Sequence, residues 1–316
     1  MQSSRPIYRT ISEDLAGIVR QGKHIPSINE TVRRYQVSKD TAVKAYNLLK
    51  KNNILRSVHG KGFFSSQTCR RERILFLLDN NNLYKENLIS GAQKELGDEF
   101  ELKIMLHDNK RDIALHILNS YSAEFERLLF IPPYSSAQTE SAIKKTGKPA
   151  VLCDRNIPGS NFPAVYQNFF SGIMQSLENS AGHIKKYKKL VLLQSGEKNP
   201  IKTAISGGCR QFCKKHRLCC HEREQHGPLE KSVLYITVRD QDLFSILESA
   251  RQTGMIPGKN FGLFSYNDTP FKKLWGNGIS VISADFTEMG RLAAVLLKSG
   301  KKEKICIATQ LILRST

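Results

Sequence analysis

From Arg73 onward, short apolar runs alternate with segments whose apolar residues recur at helical spacing. The runs include ILFLLDN, ELKIMLH, RLLFIPP and PAVLCDR, and helix-like segments such as YKENLISGAQKELG separate them. Near-continuous apolar strands that alternate with helices indicate parallel sheets covered on both faces. The alternation then repeats through KKLVLLQS, SVLYITV and NFGLFSY. This pattern predicts an α/β fold with two similar lobes.

The first 68 residues follow a different pattern. Apolar residues at spacings of three and four predict a helix over 6–21, and a second helix begins after Ser27, its expected N-cap. The short turn YQVS leads to a third helix, KDTAVKAYNLLKKN, capped by Ser38. The following segment, ILRSVHGKGFFSS, alternates on both sides of Gly60-Lys61-Gly62, which predicts a β-hairpin. Two helices joined by a short turn and followed by such a hairpin predict a winged helix-turn-helix.

The charge of the chain is concentrated in this small domain. The whole sequence has a net charge of +19. Residues 1–71 carry 14 basic and 4 acidic residues, a net charge of +10 in less than a quarter of the length. A basic surface of this density favours a polyanionic partner, and with a helix-turn-helix that partner is double-stranded DNA.

The N-terminal sequence resembles the DNA-binding domain of the GntR family of bacterial transcription regulators over residues 5–66. The similarity lies in IYRTISEDLAGIVRQG, IPSINETVRRYQVSKDTAVKAYNLLKKNNIL and HGKGFF. The family commonly has arginine where Asn29, Lys39 and Val43 stand, so the base-reading pattern is expected to differ. By analogy, the resemblance implies that the recognition helix enters the major groove and that the wing and first cap contact the DNA backbone. The implied DNA-binding residues are Ser27, Asn29, Ser38, Lys39, Asp40, Thr41, Lys44, Gly60 and Lys61.

Several other classes of protein are disfavoured by the motifs. The first strand lacks a glycine-rich dinucleotide loop, and neither a GxxxxGK[ST] phosphate loop nor a GxSxG nucleophile elbow occurs, so no enzyme and no cofactor is predicted. The longest apolar runs are too short for a membrane span, and the N-terminus lacks the apolar core of a signal peptide. We therefore expect a soluble, cytoplasmic protein with no membrane partner.

Seven cysteines in such a context favour free thiols over disulfides. The cluster formed by Cys209, Cys213, His216, Cys219, Cys220 and His221 leaves a structural zinc site as the minor alternative to buried thiols. The metal-like string HEREQH, from His221 to His226, spaces its histidines five apart and does not fit a zinc protease. No metal is predicted.

The larger part of the chain resembles the sugar-binding effector domain of the LacI family, which is itself similar to periplasmic sugar-binding proteins. The resemblance covers residues 73–316 and is most specific in SYNDTP and SADFTEMGRLA. It implies a periplasmic-binding-protein-like domain over 74–316, preceded by a linker at 69–73. Lobe one is expected at about 74–163 and 285–300, and lobe two at about 164–284 and 301–316.

A two-lobed α/β protein binds its ligand at the carboxyl ends of the strands, in the cleft between the lobes. Sugar recognition calls for polar side chains that bind hydroxyls and for aromatic faces that cover C–H groups. Strand ends supply such residues, although Asn and Asp also favour ordinary turns there. One departure from the family is that Ile205 stands where a sugar-binding arginine is common. The expected effector-binding residues are Asn81, Tyr84, Tyr134, Asp154, Arg155, Arg239, Asp240, Asn267, Asp285 and Phe286.

Together these features predict a homodimeric, sequence-specific transcriptional regulator of sugar-utilisation genes, with an arabinose- or fucose-like monosaccharide as allosteric effector. The combination of the two resemblances is similar to regulators of arabinose and fucose use. Three alternatives stay open. They are a regulator that responds to a non-sugar effector, an architectural DNA-binding protein whose α/β body is a dimerisation scaffold, and a fusion to a pyridoxal-phosphate-dependent domain, for which the chain is short.

Overall fold

The computed structural model describes residues 6–20, 24–58, 62–65, 71–134 and 138–316. The chain divides into two compact units, Met1–Arg71 and Glu72–Thr316. The division falls inside the predicted linker at 69–73, because the first strand of the larger unit already begins at Glu72. Residues 72 and 73 therefore belong to the sheet and not to a linker.

Over its described residues, the smaller unit contains three helices and a pair of antiparallel strands. They are α1 (Ile7–Arg20), α2 (Ile28–Tyr35), α3 (Lys39–Lys51), β1 (Leu55–Val58) and β2 (Gly62–Ser65). The helices pack on one another through Ile11, Leu15, Tyr46 and Leu49, all buried. The Tyr46 hydroxyl also bonds to the Pro26 carbonyl and, at 2.9 Å, to Thr31 Oγ1. Burying the tyrosine with its hydroxyl satisfied fixes α3 against the start of α2.

Both predicted caps of the smaller unit are confirmed. Ser27 Oγ accepts a hydrogen bond from the amide of Glu30 at 3.2 Å, and the Glu30 carboxylate accepts one from the Ser27 amide at 2.6 Å. This reciprocal pair is a capping box. Ser38 Oγ accepts from the Thr41 amide at 3.2 Å and so caps α3. The chain passes from α2 to α3 through Gln36, which adopts a left-handed conformation with φ 51°.

Lobe one of the larger unit is built on a six-stranded, fully parallel sheet in the order β13-β7-β6-β5-β3-β4. Its strands are β3 (Glu72–Leu78), β4 (Phe100–Leu106), β5 (Arg127–Phe130), β6 (Ala150–Asp154), β7 (Ala164–Tyr166) and β13 (Lys304–Cys306). Its helices are α4 (Leu83–Leu96), α5 (Arg111–Tyr121), α6 (Thr139–Thr146) and α12 (Phe286–Ser299). Helices α4 and α12 cover one face of the sheet, and α5 and α6 cover the other.

Lobe two has a six-stranded sheet in the order β14-β12-β11-β10-β8-β9, parallel except for β14. Its strands are β8 (Lys189–Leu193), β9 (Cys219–Arg223), β10 (Val233–Thr237), β11 (Gly262–Tyr266), β12 (Ser280–Ala284) and β14 (Thr309–Ile312). Its helices are α7 (Phe169–Asn179), α8 (Ala181–Ile184), α9 (Pro200–Lys215), α10 (Asp240–Thr253) and α11 (Pro270–Leu274). The α/β architecture with parallel sheets agrees with the sequence pattern.

The chain crosses between the lobes three times, between β7 and α7, between β12 and α12, and between β13 and β14. The boundaries predicted from sequence placed β7 and β13 in lobe two, and this is wrong, because both pair in the sheet of lobe one. A strand of three residues carries too little periodicity to be assigned to one sheet or the other from sequence. Their pairing is set by the neighbouring strand β6 and not by a local pattern.

Candidate functional site

A cavity of about 520 Å³ lies between the lobes of the larger unit, at the carboxyl ends of strands from both sheets. Lobe one contributes side chains that follow β3 and end β6, and lobe two contributes side chains that follow β10 and end β11. Polar residues dominate the lining: Asp79, Asn80, Asn82, Tyr84, Tyr134, Asp154, Gln167, Glu197, Asn199, Lys202, Arg239, Asp240, Tyr266, Asn267 and Lys272. Apolar contacts come from Phe169, Ile201, Ile205 and Val238.

The lobe-one wall rests on a buried network of charges. The carboxylate of Asp79, directly after β3, accepts hydrogen bonds from Lys85 Nζ and from the guanidinium of Arg155. Lys85 Nζ also lies 3.6 Å from Asp154 Oδ2, and Gln167 Nε2 donates to Asp154 Oδ1 at 2.7 Å. Burial opposes the charge on Asp79, but Lys85 and Arg155 outweigh it and hold the pKa of Asp79 below its usual value. The network holds two carboxylates at fixed positions beside the cavity.

Two aromatic rings complete the lobe-one wall. The Tyr84 ring lies 4.7 Å from the Phe286 ring, and burial raises the pKa of Tyr84 well above its usual value. The Arg155 guanidinium lies over the Tyr134 ring, 4.7 Å from its centroid. The two tyrosines both line the cavity, so it offers aromatic surface as well as carboxylates.

The lobe-two wall carries three cationic side chains. Lys202 Nζ donates to the carbonyls of Ser195 at 2.6 Å and Glu197 at 2.8 Å, and Arg239 NH1 lies 3.4 Å from the same Ser195 carbonyl. Lys272 is fully buried and donates to the carbonyls of Tyr266 at 2.7 Å and Asn267 at 2.8 Å. These lysines fix the loops after β8 and β11, which form this side of the cleft.

Each lobe contributes to the lining a residue with a buried side-chain oxygen that has no protein partner. Among the described residues, the buried atoms Asn82 Oδ1 and Asn267 Oδ1 make no hydrogen bond. Asn267 and Asp154 both have a φ of 61°, a left-handed conformation that is uncommon outside glycine. A buried amide oxygen without a donor costs free energy unless a ligand or water supplies one. Both oxygens are enclosed by protein atoms, so a ligand hydroxyl reaches them only if the side chains move.

Six of the ten effector-binding candidates line this cavity, and four do not. Those on the lining are Tyr84, Tyr134, Asp154, Arg239, Asp240 and Asn267. Arg155 is held by Asp79 and Asn109 and faces a neighbouring cavity of about 430 Å³. Asp285 caps α12 by accepting from the Glu288 amide at 2.9 Å. Phe286 packs behind Tyr84, and Asn81 is exposed outside the lining.

Nine polar residues of the lining are not among the ten candidates: Asp79, Asn80, Asn82, Gln167, Glu197, Asn199, Lys202, Tyr266 and Lys272. Gln167 lies on the first crossing between the lobes, where no strand end marks it. Lys202 and Lys272 are in the first turns of α9 and α11, and a lysine on an amphipathic helix usually indicates a solvated face. The Pro at the start of each helix was the available signal, because Pro is favoured in the first turn and so marks where the helix begins after the strand and its loop.

The predicted DNA-binding residues of the smaller unit lie along the start of α2 and α3. Asn29, Lys39, Asp40 and Lys44 are exposed, and Thr41 is half-buried with its hydroxyl 2.9 Å from Ser38 Oγ. Ser27 and Ser38 are exposed but are committed to their caps. The inward residues of α3 are buried as predicted: Ala42, Ala45, Tyr46 and Leu49. The exposed residues of α3, such as Lys39 and Lys44, lie on its opposite face. Gly60 and Lys61 lie outside the described residues.

The cysteine cluster of lobe two forms part of a packed helix. Cys209 and Cys213 are buried in α9, and Cys220 packs beside them from β9. His216 instead contacts Glu178, with Nε2 3.1 Å from Oε1. Within the described ranges, no group of three or more His, Cys, Asp or Glu side chains is arranged to hold a metal ion. Over the same ranges, no helix is both long and apolar enough to cross a membrane.

No protein-family model matches the chain, and no curated protein matches it in sequence. Solved structures do share its fold. A LacI family transcriptional regulator from Enterococcus faecium with bound ribose has a TM-score of 0.65 at 13% identity, over 78% of this chain and 98% of that chain. A periplasmic binding ribose operon repressor from Lactobacillus acidophilus has a TM-score of 0.61 at 17% identity, over 77% and 97%.

A third structure is similar over nearly the full length. The transcriptional regulator CelR in complex with cellobiose has a TM-score of 0.63 at 12% identity and covers 98% of this chain and 99% of that chain. The larger unit therefore has the periplasmic-binding-protein-like fold that these transcription regulators share. Two of the three structures hold a sugar.

Proposed function

We propose that the chain is a transcriptional regulator that binds operator DNA through its smaller unit and a sugar-class effector between the lobes of its larger unit. The observation that carries the proposal is the cleft itself. It combines two fixed carboxylates and two tyrosine rings on the lobe-one wall with three cationic side chains on the lobe-two wall. Hydroxyl groups of a sugar can donate to these acceptors, and the rings can cover its C–H surface. No chemical reaction is part of the proposal.

The DNA-binding part of the proposal rests on the smaller unit. Its exposed Lys39 and Lys44 flank the first turns of α3, on the face opposite the buried core of that unit. The helix-turn-helix order of α2 and α3, the antiparallel pair β1 and β2, and the net charge of +10 support a winged reader of the GntR type. A homodimer would place two such readers on a pseudo-palindromic site.

The effector and the operator then share a coupling free energy of about 1–3 kcal/mol. If a sugar weakens operator binding, the operator weakens sugar binding by the same factor. The arabinose- or fucose-like effector suggested by the sequence resemblance remains one candidate within the sugar class. The charges of the cleft narrow the chemical class of the effector further.

The test begins with selection of DNA duplexes from a random pool by the full-length protein, followed by titration of the selected duplex. We expect sequence-specific binding that weakens with salt, and a change in affinity when an effector sugar is present. Lys39→Ala and Lys44→Ala should each weaken binding and reduce the salt dependence by about one unit. Lys94→Ala is the matched control, because Lys94 is exposed on α4 of the larger unit.

Equal affinity for the selected and for unrelated duplexes would contradict the proposal and favour an architectural DNA-binding protein. Specific binding that no sugar alters would retain the DNA-binding part and overturn the sugar effector. Loss of sugar affinity in Lys39→Ala, at a position within the smaller unit, would contradict the division of labour between the two units.

A further inference from the structure

Two cations of the lobe-two wall lie side by side at the cavity. Lys202 Nζ and Arg239 NH1 both contact the carbonyl oxygen of Ser195, at 2.6 Å and 3.4 Å. A Cβ added at Gly196 would lie 2.9 Å from Arg239 NH1 and 3.8 Å from Lys202 Nζ, so the two groups flank the same backbone position. Both residues line the cavity. Two positive charges placed this close repel each other, and an anion bound between them offsets that repulsion by attracting both.

The other cations in and beside the cleft have carboxylate partners. Lys85 and Arg155 pair with Asp79, and Lys272 Nζ lies 2.7 Å from Asp240 Oδ1. Within the part of the chain that the structure describes, neither Lys202 nor Arg239 has a carboxylate oxygen within 4.0 Å. The surrounding acids Glu197, Glu224 and Asp242 act on Lys202 only from a greater distance. Lys202 and Arg239 are therefore the two cations of the lobe-two lining that, among the described residues, have no direct carboxylate partner.

The two cations also keep donors free for a ligand. Lys202 Nζ uses two of its three N–H groups on the carbonyls of Ser195 and Glu197. The exposed Arg239 bonds Ser195 through NH1 and Gln241 Oε1 through NH2, at 3.2 Å, which leaves further donors of its planar guanidinium. The same wall includes Asn199 and Ile201 at the N-terminus of the 16-residue helix α9, whose dipole also favours negative charge.

We infer that the effector is an anionic sugar, with a phosphate monoester or a carboxylate held between Lys202 and Arg239 and its hydroxyl groups directed at the lobe-one carboxylates. This inference rests on the proposed function, since it specifies the effector of the same cleft. A phosphate and a carboxylate both accept several charge-assisted hydrogen bonds from such a pair. The two carboxylates of the lobe-one wall then match the hydroxyl groups of the ligand, and the two cations of the lobe-two wall match its anionic group.

The experiment compares neutral sugars with their charged derivatives by calorimetric titration of the full-length protein. The panel contains glucose, glucose 6-phosphate and glucuronate, ribose and ribose 5-phosphate, arabinose and arabinose 5-phosphate, and inorganic phosphate alone. We expect at least one charged sugar to bind ten-fold or more tightly than its neutral parent, with an affinity that falls as salt is added. Comparison of the phosphate and carboxylate derivatives then distinguishes the two kinds of anion.

Arg239→Gln should reduce the affinity for the charged sugar about ten-fold to a hundred-fold and bring it close to that of the neutral parent. Arg251→Gln makes the same charge change on α10, away from the cleft lining, and should leave the affinity unchanged. Melting curves of both variants check that each remains folded.

Neutral sugars that bind as tightly as their charged forms would overturn the anionic effector and leave the proposed sugar-responsive regulator intact. An unchanged affinity in Arg239→Gln would overturn the assigned role of that residue and the inference with it. A panel in which neither neutral nor charged sugars bind would overturn both the inference and the sugar effector. Binding of inorganic phosphate as tightly as of any sugar phosphate would show that the cleft selects the anion alone and would overturn the inference of an anionic sugar.

Discussion

The Cα of Gly91 lies so close to the carbonyl of Thr287 that a Cβ added to Gly91 would be 2.0 Å from its oxygen. Gly290 meets the carbonyl of Leu88 in the same way, also at 2.0 Å. Helices α4 and α12 therefore touch backbone to backbone on one face of the lobe-one sheet. Both glycines are required by this close approach and not by an unusual φ.

Gly91→Ala should lower the free energy of unfolding by about 3 kcal/mol, because the new methyl group forces α4 and α12 apart in a close-packed core. Urea unfolding followed by circular dichroism measures the loss. Gly182→Ala is the control, since a Cβ at that position in α8 meets nothing within 4 Å. The control should be neutral or slightly stabilising, by up to about 1 kcal/mol. Equal stability of the two variants would contradict the close contact.

Asp79→Asn should destabilise the larger unit by about 3–5 kcal/mol, because it leaves Lys85 and Arg155 buried without their shared carboxylate. Asp112→Asn is the matched control. Asp112 pairs with Arg111 on the surface, with 84% of its side chain exposed, and should cost less than about 1 kcal/mol. Thermal and urea unfolding of both variants measure the difference. Similar losses in the two would show that the Asp79 network contributes no more than a surface pair.

His107 gives the stability of lobe one a pH dependence. The side chain is fully buried, Nε2 lies 2.8 Å from the Ile131 carbonyl, and Nδ1 has no hydrogen-bond partner among the described residues. Burial lowers the pKa of His107 below its ordinary 6.5, and the nearby cations of Arg155 and Lys85 act in the same direction. The Ile131 hydrogen bond and the charge of Asp79 oppose the shift without cancelling it.

The unfolded chain therefore takes up a proton near pH 6.5 that the folded chain does not. The free energy of unfolding should be at its full value above that pH and should decrease as the pH falls through 6.5 toward the lower folded pKa, by at most about 1.4 kcal/mol per pH unit. Urea unfolding between about pH 7.5 and 5 measures the slope. His107→Gln should flatten it, whereas His183→Gln, on an exposed histidine, should not. An identical slope in all three proteins would assign the pH dependence to other groups.

Asn82→Ala should weaken effector binding about ten-fold, because it removes a polar side chain from the cavity lining. The melting temperature should change little, since Asn82 makes no side-chain cap of α4 and its Nδ2 donates to the neighbouring Asn80 Oδ1, at 2.9 Å. Asp285→Ala is the contrasting variant. Asp285 lies outside this lining, its Oδ1 accepts from the Glu288 amide at 2.9 Å, and its loss should cost about 1 kcal/mol of stability. A fall in melting temperature without a fall in affinity for Asn82→Ala would contradict its assignment to the site.

The parallel sheets could be predicted from sequence because most of the buried strands are apolar runs that alternate with helices. VLCD, for example, is buried on both faces as β6. The three-residue strands β7 and β13 could not be placed, because their partners are chosen by the sheet and not by their own residues. The helices of the smaller unit were predictable for a different reason. Ser27 and Ser38 mark their starts through local chemistry, which needs no tertiary information.

In the cleft, too, some residues could be located from the local sequence and others depend on the tertiary structure. Asp154 and Asn267 follow apolar strands and could be located from sequence, whereas Asn81 and Asn82 differ only in the direction that the backbone gives each side chain. Arg155 looked like a ligand contact because it also follows a strand. In the structure its guanidinium is used to hold Asp79 in place. Which member of a polar run faces the cavity is decided by backbone torsions that composition does not encode.

Neither lobe is a continuous stretch of chain. The sheet of lobe one begins at Glu72, but α12, which supplies Phe286, Met289 and Leu297 to its core, comes more than two hundred residues later. During synthesis, strands β3 to β7 therefore leave the ribosome while one face of their sheet is covered by α4 alone. Almost all of lobe two must be synthesised before α12 can cover the rest of that face. For the same reason, no single cut in the gene separates the lobes into two autonomous proteins.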